Sequence, residues 1–161
     1  MKELLSNENM MKIAVEESKV NSENNYKDGG PFGAVIVKNG KIISKGHNTV
    51  IKSKDSTAHA EINVIREASQ ILGTHDLSGC ILYTSAEPCP MCLSAIIWAN
   101  IKEVYYANTK EDAGNIGFRD DIIYEYLKKN DKTLINLHNI GREEAIKVFK
   151  EFESNNEKEM Y

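Results

Sequence analysis

Cysteine is scarce in this chain: three among 161 residues. Two of the three stand in one short motif, so no disulfide framework can be built, which fits a reducing compartment. Long apolar runs are missing as well. No stretch approaches the ~18 uninterrupted apolar residues of a membrane-spanning helix. The first residues run from Met1-Lys2-Glu3-Leu4-Leu5 into polar Ser6-Asn7-Glu8-Asn9, without the pattern of a signal peptide. The expected location is cytoplasmic. Arginine is nearly absent too. It occurs at Arg66, Arg119 and Arg142, and the other cations are scattered lysines in a chain of net charge −4. Nucleic-acid binding is driven largely by neutralised phosphates, so no nucleic-acid partner is expected and a small neutral substrate fits better. No repeat, low-complexity tract or long linker divides the sequence. A single domain over residues 1–161 is expected, large enough to bury a core unaided.

What the chain does have is His59-Ala60-Glu61 followed, 27 residues after Glu61, by Pro88-Cys89-Pro90-Met91-Cys92. An imidazole and two thiolates are three ligands for one Zn²⁺. Structural zinc sites close with four protein ligands, whereas catalytic ones stop at three and leave a position for water. A carboxylate beside that water, not itself a ligand, is placed to move its protons. The pattern H-x-E…P-C-x-x-C is that of the zinc-dependent nucleobase deaminases. A structural site would need a fourth ligand from Cys80, His47, His75 or His138, and would leave Glu61 without a task. The catalytic reading is therefore preferred.

Elements of both kinds alternate along the chain. Met10, Met11, Ala14, Val15 and Ser18 repeat at helical spacing. Phe32 to Val37 and Lys41 to Lys45 read as two antiparallel strands joined by Asn39-Gly40, a type I′ hairpin signal. A helix is predicted from His59 to Leu72 with Gly73 as its stop. A strand follows over Cys80 to Ser85, then a helix over Cys89 to Ala99 and a strand over Glu103 to Ala107. After these come a helix around Ile122 to Leu127, an extended stretch near Thr133 to Leu137, and a helix from Arg142 to Phe152. Helices interleaved with strands argue for a sheet covered on both faces.

The spacings also say how the motifs meet. Cys89 and Cys92 share one face of a first helical turn, where Pro90 is tolerated and the positive helix end favours thiolates. His59 and Glu61 would point apart within a helix. They can serve one ion if the helix begins there, with Thr57 or Ala58 near its N-cap.

On these residues the chain resembles the cytidine deaminase superfamily and, within it, the bacterial guanine deaminases. The resemblance covers almost the whole chain. It rests on Gly29-Gly30-Pro31-Phe32-Gly33, Thr57 to Glu61, Leu82 to Ser85, Glu87 to Leu93, Ala95-Ile96, Trp98-Ala99, and Gly117-Phe118 with Asp120. Arg119 departs from the acid usual in relatives, and Lys128 to His138 has no clear match. The resemblance implies an α/β fold, a three-layer α/β/α sandwich on a mixed five-stranded sheet. It implies one Zn²⁺ per chain on His59, Cys89 and Cys92, with Glu61 as the catalytic proton carrier in hydrolysis of guanine to xanthine and ammonia. Asn48 and the backbone at Ala60 would orient the base, Asp120 would accept from its N–H groups, and Phe32, Trp98 and Phe118 would wall it. Tyr161 would close the pocket of its own or a neighbouring subunit, and a homodimer is implied. Taken by itself Asn48 reads as a turn residue, and each aromatic as core. Cytosine or the adenosine of transfer RNA are alternative substrates, and a zinc-stabilised binding module is the alternative of another class.

Overall fold

The computed structural model describes residues 6–129 and 134–161. Asn39 and Gly40 both take positive φ, 50° and 74°, as a type I′ turn requires. They join β1 (Gly33–Lys38) to β2 (Lys41–His47) in the expected antiparallel hairpin. β1 also pairs antiparallel with β3 (Cys80–Ala86), and β3 pairs parallel with β4 (Glu103–Asn108). The result is a mixed sheet of four strands in the order β2-β1-β3-β4.

The resemblance implied five strands, and the described residues hold four; the stretch expected to be extended near Thr133 to Leu137 adds none. Positions 134–140 carry no strand, and Thr133 lies outside the described residues. Leu134, Ile135, Leu137 and Ile140 are exposed.

Side-chain alternation along β1 builds the two helical layers. Ala34 and Ile36 pack with Ala60, Val64 and Ala68 of α3 (Ala60–Leu72) and Ile96 of α4 (Pro90–Trp98). Val35 and Val37 pack on the other face with Met10 and Ala14 of α1 (Asn7–Glu23) and with Tyr83. A strand buried on both sides reads as a continuous apolar run. At Gly33 the approach of α1 is so close that a Cβ would collide with the Ala14 carbonyl oxygen and the Ser18 amide nitrogen. Two short helices were not expected, α2 (Val50–Ser53) and α5 (Lys110–Asn115). Neither is long enough to show a helical period.

Contacts divide the chain, expected as one domain, into two compact units after Asp121. The first holds the sheet and both sequence motifs. The second holds most of α6 (Asp120–Lys129) and all of α7 (Arg142–Ser154). Val148, Phe149 and Phe152 of α7 are exposed. None of the described helices is long and apolar enough to cross a membrane.

Candidate functional site

Two helix beginnings supply the metal ligands. His59 is itself the N-cap of α3, one residue later than expected, with φ −67° and ψ 158°. Its extended backbone removes the objection from helical spacing, because His59 precedes the helix while Glu61 lies in the first turn. Cys89 is likewise the N-cap of α4, and its sulfur accepts the Cys92 N–H at 3.5 Å. The His59 Nδ1 lies 3.6 Å from Cys89 Sγ and 3.5 Å from Cys92 Sγ. Tetrahedral zinc with Zn–S of about 2.3 Å and Zn–N of about 2.0–2.1 Å would set nitrogen and sulfur about 3.6 Å apart. The donor set fits. Among the described residues it is the one group whose ligand atoms lie within 4.8 Å of one another, and neither Cys80 nor another histidine joins it. Cys80 is buried at the start of β3 among Leu77, Leu82 and Ile101, while His47 lies 3.1 Å from Asp28.

The charges of the donors call for a cation. A hydrogen bond with Cys92, aided by His59, holds the Cys89 thiol down at about 4. The Cys92 thiol is pushed up by that same contact with Cys89, by burial and by Glu61. Two sulfurs this close do not both ionise unaided; a divalent ion between them removes the conflict. The His59 pKa is raised, chiefly through its hydrogen bond with Cys89.

Glu61 is buried, and burial pushes its carboxyl up. The Thr84 hydroxyl lies 2.9 Å from Glu61 Oε1, and Cys92 Sγ lies 3.5 Å from Oε2. Glu61 thus touches one ligand without belonging to the ligand set. A buried carboxyl pushed up by its surroundings, beside a three-ligand metal site, is placed to relay protons.

A cavity opens at this point, lined by Phe32, Asn48, His59, Glu61, Ala86, Glu87, Cys89, Ala113, Phe118 and Asp120. Phe32 and Phe118 meet edge to face, centroids 4.8 Å apart at 83°. Burial raises the Asp120 pKa, and the nearby Cys89 sulfur raises it further. Ala60 is fully buried in the first turn of α3 and does not line the cavity. Trp98 corrects an expectation: it does not line the cavity. It ends α4, eight residues past Pro90, which at helical rise is roughly 12 Å from the cysteine end, and it is 64% exposed. Tyr161, in the second unit, is exposed. Ala86, Glu87, Ala113 and Thr84 are additions that motif reading passed over. Glu87 stands directly before Pro88, which was a usable signal; its Oε2 accepts the Lys110 N–H at 2.8 Å.

Comparison with known proteins agrees with this geometry. The pattern of the cytidine and deoxycytidylate deaminase zinc-binding region matches residues 5–108. Guanine deaminase of Bacillus subtilis is 57% identical over 101 residues, 63% of this chain and 65% of that protein. In that alignment the chain spans just under two thirds of the relative's length. A tRNA-specific adenosine deaminase of Aquifex aeolicus is 42% identical over 112 residues, 70% of this chain and 72% of that protein. A crystal structure of guanine deaminase from Bacillus subtilis superposes with a TM-score of 0.91 at 43% identity, covering 97% of this chain and 99% of that one.

Proposed function

Since the chain belongs to the cytidine and deoxycytidylate deaminase zinc-binding family, we propose that it hydrolyses guanine to xanthine and ammonia, with both of its compact units serving one deaminase. The carrying observation is Asp120 in the cavity that also holds His59, Glu61 and Cys89. Guanine offers ring and exocyclic N–H donors where adenine and cytosine differ, and a site built around such donors rejects bases lacking them. Identity to the Bacillus guanine deaminase is 57% over 63% of the chain, against 42% over 70% for the Aquifex adenosine deaminase. The net charge of −4 also favours a free base over a transfer RNA.

His59, Cys89 and Cys92 hold the zinc. When bound, zinc supplies a Lewis acid that lowers the pKa of water towards neutrality. Glu61 takes the proton from the attacking water as its oxygen bonds to C2, and passes a proton to the neighbouring ring nitrogen. It then takes the remaining proton from the new C2 hydroxyl and delivers it to the amino group. The C2–N bond breaks, ammonia leaves, and C2 keeps the oxygen as the carbonyl of xanthine. Asn48 orients the base, Asp120 accepts from its N–H groups, and the Phe32–Phe118 pair walls it. Tyr161, of this or a neighbouring subunit, would close over the bound base.

The reading extends to a cytoplasmic homodimer. Leu93, Ile97 and Trp98 are exposed together on α4, and a contiguous apolar patch is the kind of surface that marks a partner.

An activity panel of guanine, cytosine, adenine and a transfer-RNA anticodon stem tests the substrate. Guanine should be turned over fastest, and Asp120→Ala should lose far more of that activity than Asp121→Ala. Faster turnover of another substrate overturns guanine while leaving the zinc chemistry standing. No turnover of any would favour a binding module.

A further inference from the structure

Asn21 is fully buried on α1, and no step of the deamination uses it. Its Nδ2 donates to the Gly30 carbonyl at 2.7 Å and to the Asn48 carbonyl at 2.9 Å. Its Oδ1 is buried and has no hydrogen-bond partner among the described residues. An unsatisfied buried acceptor is destabilising, so the use of this side chain lies in its two donors.

Those donors tie together the parts of one wall. The Asn48 N–H donates to the Phe32 carbonyl at 3.0 Å, and Asn48 Oδ1 accepts the Val50 N–H at 3.1 Å. With its oxygen engaged, the Asn48 side chain has its NH₂ left to offer to the cavity it lines. Gly29 and Gly30 run against the same groups. A Cβ on Gly29 would overlap Asn48 Oδ1, and one on Gly30 would stand 2.8 Å from Phe32 Cε2 and from Phe118 Cζ. The glycine pair is therefore moulded onto Asn48 and the two phenyl rings, and Asn21 bonds both sides of that contact.

We propose that Asn21 is a positioning residue for base binding: by joining the Gly30 and Asn48 carbonyls it sets the Asn48 amide and the Phe32–Phe118 pair against the flat ring of the substrate. The inference rests on the reading that Asn48 and the phenyl pair bind the base. Its expected mark is on KM rather than kcat, because the reacting groups His59, Glu61, Cys89 and Cys92 are held by other contacts.

The test compares the zinc-loaded full chain with four variants. Asn48→Ala, checking the underlying reading, should raise KM for guanine about tenfold or more, the scale of one lost hydrogen bond in a dry site. Asn21→Asp turns the donors into carboxylate oxygens facing two carbonyls. It should raise KM about tenfold with kcat kept within roughly threefold and zinc near one per chain. Met10→Ala truncates another buried residue of α1 away from the glycine pair; it should lower melting and leave KM unchanged. In the double variant the effect should match Asn48→Ala alone rather than the product of the two, since the residues act as one unit. Should Asn21→Asp fail to fold, Asn21→Ser, which buries no charge, carries the same comparison. An Asn21 variant whose KM follows Met10→Ala, or whose effect multiplies with Asn48→Ala, overturns the proposal. An unchanged KM in Asn48→Ala overturns the base-binding reading itself, and the role of Asn21 with it.

Discussion

The proton relay proposed for Glu61 requires a carboxyl that is held in place and still exchanges its proton, and Thr84 suits both demands. The Thr84 hydroxyl lies 2.9 Å from Glu61 Oε1 and 3.1 Å from the Ala86 carbonyl. With one proton to give, it donates to the carboxylate form; turned towards Ala86, it can accept from the protonated form. Thr84 therefore serves both states without moving its heavy atoms. Glu61→Gln should keep about one zinc per chain and lose ~10²–10⁴-fold in turnover. Cys92→Ala should lose the metal. Metal analysis beside a guanine assay checks both, and a zinc-free Glu61→Gln would mean that Glu61 is a ligand.

Elements act on the site through where they begin and how closely they pack. α1 touches β1 at Gly33 with backbone against backbone, so no side chain can yield to a larger residue there. Gly33→Ala is expected to cost about 1–3 kcal/mol, a melting decrease of roughly 2–12 °C for a chain of this size, with zinc per folded chain unchanged. Calorimetry with metal analysis measures both. The loop leading into α3 is shaped by Asp55, whose Oδ1 accepts the Thr57 hydroxyl at 2.7 Å and the Thr57 N–H at 2.8 Å, with Arg66 3.4 Å away. The bonds from Thr57, helped by Arg66, lower the Asp55 pKa. A carboxylate lowered by folding contributes stability that is complete above its unfolded value, about 3.9, and is lost as pH falls through the folded value. Asp55→Asn should therefore melt below the parent at neutral pH, and the two curves should converge below about pH 4. A gap that stays constant with pH would show that the charge contributes nothing.

At the scale of the whole molecule the questions are assembly and closure. The proposed homodimer would cover the large apolar side chains exposed on α4, and light scattering should then give about twice the 18.1 kDa chain mass. A clean monomer at micromolar concentration contradicts the homodimer. Met160 and Tyr161 end the chain exposed, after a charged run from Glu151 that suits a solvated tail. Under the proposed closure they would cover bound substrate, of this subunit or a neighbouring one, where an aromatic lid excludes water and strengthens the electrostatics beneath it. Truncation after Lys158 should leave zinc content and melting nearly unchanged and lower kcat/KM for guanine about tenfold. Unchanged kinetics would make the tail a tail.

The sequence by itself determined what depends on neighbours a few residues apart. His59, Glu61, Cys89 and Cys92 were legible because ligand chemistry restricts residue type and helix starts restrict spacing. The Asn39-Gly40 hairpin and the Gly73 stop, at φ 67°, were legible because few residues adopt positive φ. Tertiary structure decided everything that depends on partners distant in the chain. Thr84 meets Glu61 because β1 aligns Ala34 with Thr84 across the sheet while Ala34 also packs on α3, and no local pattern encodes that register. Phe32 and Phe118 reach the cavity and Trp98 does not, although all three were equally plausible walls; helix length carried Trp98 away. The expected fifth strand is absent from the described residues for the same reason. An extended apolar stretch becomes a strand when a neighbouring ladder accepts its hydrogen bonds, and that neighbour is a property of the fold rather than of the stretch.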